Sequence, residues 1–236
     1  GDRHLIAKFS SLTDTWPIVR AEFLAMRMAA RCGLDVAAVE LLETDGRDVL
    51  LVERFDRIPG TRQRRAVLSA LTLLDLPETS PQLAAYGDLA EIMRRRFPDP
   101  STVRRELFSR IVFSILCGNT DDHARNHAAF WDGRDLTLTP AYDICPYPRV
   151  GGEATQAMIL GTGDDPYRLS NLGGCVDRAH LYGLSRENAL EIVHHQRDII
   201  AVSWEQACDE ARLTDAQRAP IRRVFPHKYA LYDLPT

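Results

Sequence analysis

The chain has no run of about 18 apolar residues, the length a helix needs to cross a bilayer. Its longest apolar stretch, Ile111–Cys117, is far shorter and is broken by Ser114. Gly1–Ser10 lacks the long apolar core of a signal peptide. The five cysteines (Cys32, Cys117, Cys145, Cys175, Cys208) form no C-x-x-C pair, and an odd, dispersed set argues against both a disulfide framework and a zinc site. That pattern predicts reduced thiols and a cytoplasmic protein. An excess of positive charge is missing as well: the net charge is −4, whereas non-specific DNA binding rests on a basic surface. Arginine clusters occur at Arg62, Arg64 and Arg65 and at Arg94, Arg95 and Arg96; a solvated face explains most such clusters, and phosphate contact is the alternative. Internal repeats and low-complexity tracts are absent. What is present is 45% hydrophobic and 26% charged residues in 236, an ordinary globular balance sufficient for one large domain or two small lobes sharing a core.

Residues 4–9 read as a strand, and entry into an apolar strand this early leads us to expect upstream sequence. A polar turn follows over 11–17. Ile18, Phe23, Leu24, Met26, Met28 and Ala29 recur at helical spacing, predicting a helix over 18–31 with Gly33 at its C-terminal cap. Two strands, 36–42 and 49–52, flank Thr44-Asp45-Gly46-Arg47, and Asp-Gly is a strong hairpin signal. Beyond Arg57 the character changes. A Pro/Gly/Arg loop over 58–65 leads to helices over about 81–97, ended by Pro98, and about 101–117. Residues 118–126 are polar and turn-like, and 127–131 and 136–138 flank Asp132-Gly133 as a second hairpin. Residues 146–183 are rich in Gly, Pro and Asp and read as irregular with short helices. Ser185 is placed to cap a helix reaching about Arg212, and another begins at Asp215. The expected fold class is α+β and bilobal: residues 1–57 form a small α/β lobe and 58–236 a mostly helical one.

Asp121 and Asn126 are separated by four residues within Gly118–Asn126. This D-x-x-x-x-N spacing is that of kinase catalytic loops, where the carboxylate accepts the proton of the substrate hydroxyl and the amide oxygen binds magnesium. A second aspartate reached through a following hairpin completes such a metal site, and Asp143, 17 residues after Asn126, suits that part. Magnesium prefers hard oxygen ligands, which Asn126 and Asp143 supply. Lys8 lies on the first strand and Glu22 on the helix after it; a strand lysine oriented by a helix glutamate is how kinases neutralise ATP phosphates. A surface ion pair is the competing reading. Glu53, Arg54 and Phe55 fall where the small lobe ends, and in kinases the backbone groups of such a lobe junction typically hold an adenine. No single piece is specific; the order lysine strand, glutamate helix, hairpin, junction, helices, catalytic loop, hairpin, aspartate is that of a bilobal kinase.

Four segments, His4–Phe9, Val52–Arg57, Gly118–Asn126 and Leu138–Asp143, resemble the HipA family of serine/threonine kinases, and the likeness runs nearly the full length. Leu68–Leu73 resembles one branch of that family. The resemblance implies a kinase fold with a helical C-terminal lobe, ATP and Mg2+ as cofactors, and Lys8 on the ATP phosphates. It implies that Glu53 and Phe55 hold adenine through backbone groups and that Asp56 lies near the ribose. Asp121 would be the catalytic base, His123 a support of the catalytic loop, and Asn126 and Asp143 the magnesium ligands. Members are toxins that phosphorylate a protein serine, an aminoacyl-tRNA synthetase being the best-known target. They are restrained by a small helix-turn-helix antitoxin, HipB, through which alone DNA is contacted; no membrane is involved. The family's glycine-rich, serine-containing loop ahead of the lysine strand is not visible in this sequence.

Other readings compete at particular residues. His123 and His127 have the spacing of a zinc-protease helix, but Ala124 stands where H-E-x-x-H needs its glutamate. His194 and His195 read as helix-surface or packed residues, Trp131 and Trp204 as core, and Tyr142 as packing beside Asp143. Asp122 reads as a solvated loop residue rather than an extra metal carboxylate. As a function class, a catalytically impaired nucleotide-binding regulator or a scaffold in a toxin–antitoxin complex is the alternative to a kinase; the presence of both Asp121 and Asn126 speaks against the regulator, and the acidic balance against direct DNA contact.

Overall fold

The computed structural model describes residues 3–11, 13–148 and 151–234. Two local rules build its first unit. Strand β1 (Leu5–Phe9) is followed by helix α1 (Ile18–Arg31), whose Val19, Phe23, Leu24, Met26 and Met28 are buried. Gly33 adopts φ 85°, and Leu34 N–H donates back to the Ala29 carbonyl, so the left-handed turn that glycine permits stops α1. Strands β2 (Val39–Thr44) and β3 (Arg47–Glu53) are joined through Asp45 at φ 49° and Gly46 at φ 69°. Two successive positive φ values make the tight hairpin turn that Asp-Gly favours. The sheet is antiparallel in the order β1-β3-β2, with Lys8 opposite Leu50. Leu41, Leu50 and Val52 of this sheet join α1 in the core.

Strand β4 (Ala66–Ser69) runs directly into the short helix α2 (Ala70–Leu73), capped by the Ser69 side chain, which accepts from Thr72 N–H. β4 pairs with β5 (Ala128–Trp131), which pairs with β6 (Leu136–Leu138), giving a second antiparallel sheet. Neither β4 nor α2 was expected. Four residues give too short an alternation to read, and β4 exists because Val67 and Leu68 meet Phe130 and Ala129 from a distant segment.

Helices α3 (Tyr86–Arg96), α4 (Pro100–Cys117), α5 (Leu172–Asp177), α6 (Arg186–Glu210) and α7 (Asp215–Val224) form the rest of the body. Asp99 caps α4 by accepting from Thr102 N–H, and Pro100 occupies the first helical position, where its missing N–H is not needed. Ser185 caps α6, as expected, by accepting from Asn188 N–H. α3 begins later than expected because Ala84 and Ala85 stay extended: Ile159 N–H donates to the Ala84 carbonyl and Tyr86 N–H to the Ile159 carbonyl. Phe225 stacks edge-on against Phe113 at 5.8 Å and Trp204 at 5.6 Å, tying α4, α6 and the end of α7 together. All five cysteines are free and buried, so no disulfide exists among the described residues. No helix is long and apolar enough to cross a membrane among them.

Candidate functional site

Strand β1 presents Lys8 to two acids from distant parts of the chain. Its ammonium donates to Glu22 Oε1 at 2.6 Å, 14 residues on, and to Asp143 Oδ1, 135 residues on. Glu22 sits among the buried apolar residues of α1. Burial works to lower the Lys8 pKa, but Glu22 and Asp143 outweigh it and hold the group above its ordinary range. Burial likewise raises Glu22, and Lys8 only partly offsets this. The two shifts pull the ion pair in opposite senses. The 2.6 Å contact and the partial access of water to Lys8 favour the charged pair at neutral pH.

Asp143 takes φ 60°, a left-handed conformation that aspartate tolerates better than most residues. Next to it, Tyr142 donates its hydroxyl to the Arg125 carbonyl at 2.6 Å, and Tyr147 N–H donates to the Gly118 carbonyl at 3.1 Å. These two bonds fasten the segment carrying Asp143 onto the loop carrying Asp121 and Asn126. Burial pushes the Tyr142 hydroxyl up to about 12, so it remains a donor.

The loop starts at Gly118, which ends α4 at φ 76°; a Cβ there would lie 2.8 Å from the Val224 carbonyl oxygen. Asp121 is exposed. Asn126 is buried, and its Nδ2 approaches the Asp121 carbonyl at 3.5 Å. His123 accepts the Asn126 N–H at 2.8 Å through its carbonyl, closing a single 3-10 turn over 124–126, while its ring Nδ1 is buried without a hydrogen-bond partner.

Asp122 corrects the expectation of a solvated residue. Only 4% of it is exposed. Its Oδ2 accepts from the Tyr86 hydroxyl at 2.6 Å and Ser114 Oγ at 3.2 Å, and its Oδ1 lies 3.0 Å from His127 Nε2. His127 Nε2 thus meets the carboxylate at hydrogen-bond distance but off the line of a well-directed bond. Burial alone would raise the Asp122 pKa; His127, Tyr86 and Ser114 together hold it below the ordinary carboxylate range. This cluster escaped the sequence reading. The signal that could have found it is that Asp122 and His127 repeat, one residue later, the offset of Asp121 and Asn126.

Beside Lys8 and Asp143 opens a cavity of about 480 Å³, walled by Ile6, Val52, Phe55, Val67 and Tyr142 and by Glu53, Arg54, Asp56 and Arg65. Phe55 packs against Phe130 at 5.7 Å and Tyr142 at 5.4 Å, and the Arg65 guanidinium covers the Phe130 ring at 3.2 Å. Arg65 therefore does more than decorate a solvated loop. The Glu53 N–H is spent on the Ala38 carbonyl, whereas the Phe55 N–H is used by neither sheet nor turn among the described residues. Phe55 therefore lines this cavity with a backbone donor to spare, and Lys8 and Asp143 add a cation and a carboxylate to its wall. Asp56 is held by the Arg54 fork at 2.8 and 2.7 Å, which keeps its carboxyl below the ordinary range. The other arginine cluster is solvated as expected, with Arg94 and Arg95 both on Glu91. His194 and His195 are exposed, and no group of three His, Cys, Asp or Glu side chains is placed to hold a metal ion among the described residues.

A three-stranded sheet carrying the lysine, a helix carrying its glutamate, and a helical body bearing the aspartate loop define a kinase-like bilobal fold. The chain belongs to the HipA-like C-terminal domain family, whose model matches residues 1–204. Y4mE of Sinorhizobium fredii is 32% identical over 146 residues, covering 59% of this chain and 33% of that protein. The serine/threonine-protein kinase toxin HipA of Shewanella oneidensis is 27% identical over 145 residues, covering 54% of this chain and 34% of that one. The chain thus spans about a third of the length of these curated relatives. Among solved structures, a chain of the S. oneidensis HipA, HipB and operator DNA complex superposes with a TM-score of 0.74 at 20% identity, over 93% of this chain and 55% of that one. The proinflammatory kinase CtkA of Helicobacter pylori gives 0.57 at 15% identity, over 93% and 91%. At such identities the structural likeness speaks for the fold.

Proposed function

We propose that this chain is the catalytic part of a HipA-type serine/threonine kinase, transferring the γ-phosphoryl of ATP to a serine hydroxyl of a protein. One observation carries the reading: Lys8 is bonded at once to Glu22 and Asp143, beside a cavity with the size and lining of a nucleotide slot. Glu22 orients Lys8, and Lys8 neutralises phosphate charge. The Phe55 N–H and the Glu53 carbonyl hold the adenine edge, and Asp56 lies toward the ribose. The Asn126 carboxamide oxygen and the Asp143 carboxylate are hard donors suited to Mg2+, which would draw charge from the transferred phosphoryl. Asp121, exposed at the loop, accepts the proton of the serine hydroxyl, and His123 supports the turn behind it. The lobes divide near residues 57 and 58. In this reading the protein works in the cytoplasm. A HipB-like helix-turn-helix antitoxin restrains it and alone touches DNA. An aminoacyl-tRNA synthetase is the first substrate to test.

The test is radiolabelled ATP and candidate protein substrates supplied to the full-length protein and its Asp121→Ala variant. Transfer is expected to fall by about 10²–10⁴-fold. Stability should stay within about 0.5 kcal/mol, because Asp121 is exposed. Undiminished transfer by a variant with a normal melting curve rules out the assignment.

A further inference from the structure

We propose that Asp122 and His127 form a buried clamp that fixes the separation of Asp121 and Asn126, making both positioning residues for phosphoryl transfer; the inference rests on the kinase reading above. Each clamp residue is the chain neighbour of one of those two groups. Asp122 and His127 are each 4% exposed, and their side chains meet at 3.0 Å. What lies between them is a single 3-10 turn closed by one backbone bond, Asn126 N–H to the His123 carbonyl. Such a turn is weak alone. The clamp is tied to the helical body at two points, the Tyr86 hydroxyl of α3 and Ser114 Oγ of α4, both on Asp122 Oδ2. The Tyr86 ring also stands edge-on to His127 at 5.5 Å. Tyr86 is itself fixed through its N–H on the Ile159 carbonyl. A buried carboxylate that accepts from two hydroxyls and meets His127 Nε2 at 3.0 Å has little freedom to move, and a displacement of about 1 Å at a reacting group can cost about 10²-fold in rate. The consequence is a division of labour: Asp121 stays exposed for substrate, while the adjacent carboxylate holds the loop from inside.

Two substitutions of His127 separate a clamp from simple packing. His127→Phe keeps a ring and loses the polar nitrogen that faces Asp122; His127→Gln keeps a polar N–H and loses the ring. In the full-length protein, His127→Phe is expected to speed amide exchange across 123–127 by about tenfold or more while α4 stays protected. Its kcat should fall about 10–100-fold, by more than KM for Mg-ATP rises. His127→Gln should stay within about threefold of wild type on both readouts. Wild-type loop exchange in His127→Phe, or equal damage from both substitutions, would overturn the clamp. If His127→Phe does not fold, Tyr86→Phe removes a single hydroxyl donor to the same carboxylate and must raise loop exchange in the same direction. If the wild-type protein shows no transfer, the kinase reading fails, and amide exchange still decides the clamp.

Discussion

Replacing Lys8 by methionine keeps most of the apolar stem and removes the ammonium. The Glu22 side chain is only 7% exposed, and its carboxylate accepts from the Lys8 ammonium. Stripping one member from a fully buried ion pair costs about 3–5 kcal/mol, because the other charge is left without compensation. The Lys8 side chain is 35% exposed, so solvent screens part of the loss, and about 1–3 kcal/mol is expected here. For a chain of this size that lowers Tm by about 2–12 °C. The pH dependence has a definite sign. Glu22 is raised in the fold, so its favourable contribution is complete below its ordinary carboxylate range and is lost as pH rises through its folded value. Without Lys8 that folded value climbs further and the loss becomes larger. The stability gap between wild type and Lys8→Met should therefore be small near pH 4 and widen toward pH 8. Urea unfolding at several pH values reads this directly. An equal gap at all pH values, or none, would refute the claim that Lys8 compensates a buried carboxylate.

Asp143→Ala should weaken magnesium-dependent ATP binding and release Lys8 from one of its two partners; calorimetry that finds the same affinity with and without the carboxylate rejects Asp143 as a metal ligand. Gly118→Ala combines a left-handed φ of 76° with a Cβ 2.8 Å from the Val224 carbonyl oxygen. It should destabilise by about 1–3 kcal/mol, and an unchanged melting temperature would show that the turn can relax.

How much of the site could be read in advance depends on the range of the interactions involved. Asp121, Asn126 and Asp143 are singled out as candidates by spacing, and Lys8 and Glu22 by their places on consecutive elements. The contact between Lys8 and Glu22 then appears directly in the structure. The companion residues could not be read so. Asp122 is next to Asp121 in a polar stretch, yet one is buried and the other exposed. Which of two neighbouring carboxylates faces inward is decided by Tyr86 and Ser114, from helices before the loop. Arg65 likewise reads as one member of a basic cluster until Phe130 is brought beneath it by the pairing of β4 with β5.

The sequence by itself determined the features governed by neighbours along the chain. These include the span of α1 from its apolar spacing, the β2–β3 hairpin from Asp45-Gly46, the Ser185 cap and the loop spacing of Asp121 and Asn126. Only the tertiary structure decided the meeting of Lys8 with Asp143 across 135 residues, the existence of β4 and the burial of Asp122. Helix periodicity, turns and caps follow from backbone geometry within a few residues. Burial and cross-strand pairing depend on which distant surface arrives to exclude water, and no local pattern encodes that arrival.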